Sequence, residues 1–128
     1  MSGFEISPAS ITASHTVQRY GDGKFGIADE VYKGSVIVFS DHAQLWPVQS
    51  TEDITASSLL AIVERSDDVD ILVLGCGERF GPPPQDLRAA LKEHGIALEW
   101  MDTGAACRTF NVLLSEARRV AAALIAVV

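Results

Sequence analysis

The apolar positions divide the chain into two stretches of different period. Between Thr16 and Val48 they are strand-like: Phe25 and Ile27 alternate, and Val36, Ile37, Val38 and Phe39 form a β-branched and aromatic run opened by Gly34. Gly21-Asp22-Gly23 precedes the first pair and supplies residues that tolerate positive φ in a tight turn. A short piece from Ala43 stops at Trp46, before Pro47. These pieces predict short strands in an antiparallel meander. Residues 1–15 are polar and aperiodic at their start and read as a flexible arm, leaving residues 16–128 as a single domain.

After Thr51 the period becomes helical. Thr55 is a plausible N-cap for a helix carrying Leu59, Leu60, Ile62 and Val63 and ending near Arg65. Asp67, Asp68 and Asp70 read as a solvated connection. Ile71 to Leu74 is a continuous apolar run, as a strand covered on both faces requires. Leu87, Ala90, Leu91 and His94 make the next helical stripe, with Gly95 where a left-handed terminal residue is wanted. A strand over Ile96 to Met101 follows. Asp102 or Thr103 then caps a helix whose inner face is Ala106, Phe110, Leu113, Leu114 and Ala117. The last segment, Val120 to Val128, is rich in alanine, yet a helix there would be apolar all round. The β-α-β-α rhythm before it asks for a buried parallel strand, so it reads as one.

Composition narrows the class. Hydrophobic residues are 48% of 128, which excludes a disordered chain of low hydrophobicity. The net charge of −7 argues against a general nucleic-acid binder, which needs a basic surface to displace counterions. Two cysteines make no disulfide framework and point to a reducing, cytoplasmic compartment. The first fifteen residues lack the charge and apolar run of a signal peptide, and no stretch approaches the ~20 apolar residues of a spanning helix. No direct insertion into a membrane is expected.

Ligands of open parallel sheets lie beyond the carboxyl ends of the strands. Two segments land there: Gly75-Cys76-Gly77, and Met101-Asp102-Thr103-Gly104 leading to Arg108, Thr109 and Asn111. If their strands are adjacent, they would line one pocket for an anion or metabolite. Arg108 and Asn111 are three apart and neighbours on a helix, and Arg108 would either pair with Asp102 or present a fork beside its carboxylate. The competing reading is a capping and packing network, with Asp102 favoured by the helix dipole. Gly75, Gly77 and Gly81 have the wrong spacing for a dinucleotide loop, and no Gly-Lys-Ser or Gly-Lys-Thr marks a P-loop. Cys107 lies in the first turns of a helix, where the dipole would favour a thiolate, but reduced cysteine also serves as a small buried hydrophobe. His15, His42 and His94 have no metal-ligand spacing, and Ser40-Asp41-His42 are consecutive, a poor basis for a triad. Trp46 and Trp100 read as core or sheet-face aromatics. No metal, cofactor or catalytic constellation is indicated.

Several segments together carry a resemblance: Tyr20-x-x-x-x-Phe25-x-Ile27, Gly34-Ser35-Val36-Ile37-Val38 with the Trp46 that follows, and Leu72-Val73-Leu74-Gly75-x-Gly77. The most specific is M-D-T-G-A-A-C-R-T-F-N-V-L from Met101 to Leu113, with E-A-R-R-V-A-A-A-L-I from Glu116 to Ile125. This pattern resembles the Mth-like domain family, which includes a mitochondrial assembly factor for respiratory complex I and an adipogenesis-associated vertebrate protein. The resemblance implies a three-layer α/β fold with a mixed central sheet, a parallel βαβαβ part at its C-terminal end and a smaller N-terminal antiparallel layer. It carries no established catalytic residues. The expectation is a protein-binding adaptor without turnover, whose motif residues Asp102, Thr103, Arg108, Thr109 and Asn111 form a candidate surface. The alternative is an enzyme or small-molecule binder using the strand-end pocket.

Overall fold

The computed structural model describes residues 15–128; the arm expected over residues 1–15 lies, apart from His15, outside the described residues. Strands β1 (Val17–Gly21), β2 (Lys24–Ile27) and β3 (Glu30–Lys33) form an antiparallel sheet in that order. Strands β4 (Val36–Phe39), β5 (His42–Leu45), β6 (Ile71–Gly75), β7 (Ala97–Met101) and β8 (Val120–Leu124) form a second sheet in the order β5-β4-β8-β6-β7. In it β6 is parallel to both β7 and β8, whereas β4 is antiparallel to β5 and β8. The N-terminal meander is thus divided between two sheets. Burial gives the reason: all four residues of β4 are buried, so this strand needs cover on both faces, while β1 and β3 are largely exposed.

Alternation sorts the central sheet into two cores. One face carries Ile37, Phe39, Leu72, Leu74, Ala121 and Ala123, packed against α1 (Leu60–Val63), α2 (Leu87–Lys92) and the Trp46–Ile54 loop. The other carries Val36, Val38, Val73, Val120, Ala122 and Leu124, packed against α3 (Thr103–Ser115) and against Phe25 and Ile27 of the small sheet. The result is the three-layer α/β arrangement with its mixed sheet, parallel C-terminal part and smaller antiparallel layer. The alanine-rich β8 is a strand because it fills the centre of the large sheet, where all five of its residues are buried and its backbone is paired on both sides.

Two expected elements differ. Over residues 55–65 only Leu60–Val63 is α-helical, preceded by a 3₁₀ turn at Ser57–Leu59. The N-cap positions fall on Ala56 for the 3₁₀ turn and Leu59 for the α-helix rather than on Thr55, whose hydroxyl accepts from the Ser58 N–H at 3.2 Å while the Ser58 hydroxyl accepts from the Thr55 N–H at 3.0 Å. The Ser58 carbonyl, however, accepts from the indole of buried Trp46 at 2.7 Å rather than from the next helical turn. At the end of α3, Ala117 leaves the expected inner stripe and is exposed. It holds φ +60° in a terminal motif where Arg118 N–H reaches Leu113 O at 3.0 Å and Ala117 N–H reaches Leu114 O at 3.0 Å. Cys107 takes a place on the buried face instead.

Candidate functional site

Strands β6 and β7 are adjacent, so Gly75-Cys76-Gly77 and Met101-Asp102-Thr103 do meet. The meeting is a closure. The Thr103 side chain is fully buried; its hydroxyl donates to Ile125 O at 2.7 Å and accepts from the Gly77 N–H at 3.0 Å. The Thr103 N–H adds a bond to Gly77 O at 2.9 Å, and the Cys76 N–H bonds Met101 O at 2.8 Å. One threonine therefore ties together the exits of β6 and β8 at the start of α3. A Cβ on Gly75 would stand 2.8 Å from Thr103 Cα and 3.1 Å from Ala106 Cβ, so glycine is what lets the helix settle onto the strand end. The space where a ligand of a parallel sheet would sit is filled by protein, and the geometry gives no support to the expected strand-end pocket.

Asp102 occupies the N-cap of α3, its carboxylate accepting from the Ala105 N–H at 2.9 Å. The motif's Asn111 turns toward the small sheet, against the expectation that it stands beside Arg108 on the open surface. Its Oδ1 accepts from the Val17 N–H at 2.8 Å and its Nδ2 donates to Val17 O at 2.9 Å, a side-chain imitation of strand pairing that pins β1 to the helix. Arg108 is exposed and makes neither an ion pair nor a hydrogen bond through its side chain among the described residues; Thr109 beside it is half-buried, and Val112 is 54% exposed. The motif thus has an inner set, Asp102, Thr103 and Asn111, and an outer set, Arg108 and Thr109.

The cysteines are buried and unpaired. Burial pushes the Cys107 thiol up from 9.0 to about 12, outweighing the nearby Arg108 guanidinium, so of the two readings of this residue the small buried hydrophobe fits and the dipole-favoured thiolate does not. Cys76 lies in the opposite core, its Sγ 3.5 Å from Arg79 O. Asp41 pairs with Arg65 at 3.0 Å, which together with its neighbours holds the carboxyl below the usual carboxylate range. His42 stacks on Phe39 and shares a 3.0 Å hydrogen bond with Gln44, so Ser40, Asp41 and His42 do not converge. Both tryptophans are core aromatics, and the Trp100 indole anchors the loop after β6 by donating to Gly81 O at 2.5 Å. Among the described residues no group of three or more His, Cys, Asp or Glu could hold a metal, and no helix is long and apolar enough to cross a membrane.

Two structural residues carried little sequence signal. Buried Ser35 accepts from the Ala126 N–H at 3.0 Å and ties the chain end to β4. A Cβ on Gly104 would lie 2.7 Å from the Tyr20 hydroxyl, so glycine there admits the β1 tyrosine against α3. The first requirement becomes visible only when β4 lies beside β8, and the second only when β1 lies against α3.

Fold and site define a class: a small three-layer α/β protein whose parallel strand ends are sealed by its own helix. The chain belongs to the protein family of unknown function DUF498/DUF598, which matches residues 17–125. It is 37% identical over 109 residues to an uncharacterized protein of Rhodobacter capsulatus, covering 85% of this chain and 82% of that one. It is 36% identical over 120 residues to the zebrafish (Danio rerio) NADH dehydrogenase [ubiquinone] 1 alpha subcomplex assembly factor 3, covering 94% of this chain and 69% of that one. A crystal structure described as an outer membrane protein from Bartonella henselae superposes with a TM-score of 0.84 at 36% identity, over 91% of this chain and 98% of the other. A Bordetella pertussis protein described as an Mth938-like domain gives 0.79 at 29% identity, over 94% and 89% of the two chains. The resemblance to the Mth-like family therefore holds.

Proposed function

We propose that the protein is a non-catalytic, cytoplasmic binding module that contacts other proteins during assembly of a respiratory enzyme complex, with residues 16–128 acting as one unit. The observation that carries this reading is the division of the M-D-T-G…R-T-x-N motif. Its inner residues hold strand ends and a cap, and its outer ones offer an unpaired guanidinium beside a half-buried threonine and an exposed valine. Arginine beside apolar contact area is the residue chemistry enriched where proteins bind one another. The naming of relatives as assembly factors of NADH dehydrogenase supports the kind of partner. Free, buried cysteines fit a reducing compartment.

The test is affinity isolation of the tagged protein from its native cells beside an Arg108→Ala variant with an unchanged melting temperature. The expected result is a set of respiratory-complex subunits retained by the parent chain and lost by the variant. Absence of any specific protein from the parent isolate overturns the reading.

A further inference from the structure

The outer face of the small sheet is built as a cationic surface in an acidic protein. Cross-strand register places Lys24 directly opposite Lys33, and Gly26 lies between Arg19 and Val31. Phe25 and Ile27 turn inward to the core, so by strand alternation Lys24, Lys33, Arg19 and Val31 share the outward face. Two lysines directly opposite each other repel and cost stability, so the arrangement has no structural benefit of its own. Neither lysine nor Arg19 makes an ion pair among the described residues. Arg19 lies down over Gly26, where a Cβ would stand 3.2 Å from its Nε; a larger residue there would push the guanidinium off the sheet.

Of the acids of this segment, Asp22 lines one edge of the face, and Asp29 and Glu30 stand off it. Asp22 sits in the β1–β2 turn, and Asp29 in the next turn, bonded to Gln18 by two hydrogen bonds. Glu30 is opposite Ile27 and so alternates toward the other side. Arg19, Asp22, Lys24 and Val31 line a shallow open cleft of about 370 Å³ over Gly26. Val31 is 56% exposed at its edge.

From this charge complementarity we infer that the outer face of the β1–β2–β3 sheet docks an acidic segment of a protein partner, carboxylates meeting Lys24, Lys33 and Arg19 and an apolar side chain meeting Val31. The inference rests on the protein-binding reading above but uses a surface separate from the α3 motif. Three cations on one small face supply orientation and encounter rate in an otherwise repelling acidic field.

The probe is a fluorescent peptide of repeated Glu-Glu-Leu triplets, titrated with the full chain and compared with its Gln-for-Glu counterpart. The acidic peptide is expected to bind, more weakly as salt rises, and the Gln counterpart about tenfold more weakly. Lys24→Gln/Lys33→Gln is expected to lose about tenfold in affinity at a melting temperature no lower than that of the parent chain, and Lys24→Arg/Lys33→Arg to retain affinity at an unchanged one. Equal binding of the two peptides, or an affinity unmoved by Lys24→Gln/Lys33→Gln, overturns the inference. So does capture by phosphatidylserine vesicles without binding of the peptide, which would assign the face to a lipid surface. Loss of native partners in Arg108→Ala but not in the lysine variant would overturn this docking face while leaving the adaptor reading intact. Absence of partners in the parent chain would strike the adaptor reading itself.

Discussion

The carboxyl ends of the parallel strands and the outer face of the small sheet treat their polar groups in opposite ways. At the strand ends the hydroxyl and the N–H of Thr103 are both engaged, and Gly75 leaves no room between strand and helix. On the small sheet Lys24 and Lys33 face each other across one ladder, and Gly26 opens a cleft rather than closing one. A position conventional for ligands is here a structural joint, and a peripheral sheet holds the unsatisfied charge. Polar residues therefore mark function less by where the fold puts them than by whether the protein already satisfies them.

Breaking the joint should have the largest effect. Thr103→Val keeps the shape but leaves the Gly77 N–H and the Ile125 carbonyl without their buried partner. At roughly 1–3 kcal/mol for each group, the expected loss is about 2–6 kcal/mol, read by urea unfolding. Gly75→Ala sets a methyl against the α3 backbone and should cost about 1–3 kcal/mol, with an unfolding midpoint lowered at unchanged m-value. A joint that tolerates both changes would mean α3 rests loosely on the strand ends.

The same buried helix gives a pH signature. The Cys107 thiol stays protonated in the fold up to about 12 but ionises from 9.0 once unfolded. Above pH 9.0 the unfolded state therefore binds fewer protons than the native one, and stability falls as pH rises toward about 12. The contribution of this group is about 1.4 kcal/mol per pH unit in that window. Melting curves of the parent chain and Cys107→Ala between those limits should converge as pH rises; parallel curves would place the thiol in contact with water.

The smallest effect sharpens the other side of the comparison. Lys33→Glu replaces a like-charge pair with an opposite one and should stabilise the fold by about 0.2–1 kcal/mol while abolishing binding of the acidic peptide. A gain in stability accompanied by a loss of binding is the expected signature of residues retained for a partner. Destabilisation by this change would show that Lys33 already has a favourable structural role.

Much of the architecture was legible in local pattern. The buried run at Val36–Phe39, the unbroken apolar stretch at Ile71–Leu74 and the capped stripe beginning at Asp102 each specify an element with its burial. Even the alanine-rich segment Val120 to Val128 could be read as a strand, because the preceding alternation leaves a vacancy in the parallel sheet, although the strand itself stops at Leu124. What local pattern could not supply was competition for a group from far along the chain. Trp46 reaches the Ser58 carbonyl beside the shortened helix, and Asn111 reaches Val17 across 94 residues of sequence. The cationic face had a usable signal, alternate residues Lys24 and Gly26 against Val31 and Lys33, but only register makes the lysines opposite.

By itself, then, local pattern determined the short N-terminal strands, the parallel β-α-β-α-β part and a cap at the start of α3, since period and capping chemistry act over a few neighbouring residues; the three-layer class was implied by the family resemblance. The tertiary structure alone decided that Thr103 closes the strand ends, that Asn111 and Arg108 turn opposite ways, and that two lysines share one face, exposed among the described residues. Those outcomes depend on which distant backbone groups compete for the same hydrogen bonds and which charges register sets side by side, and neither is written in local spacing.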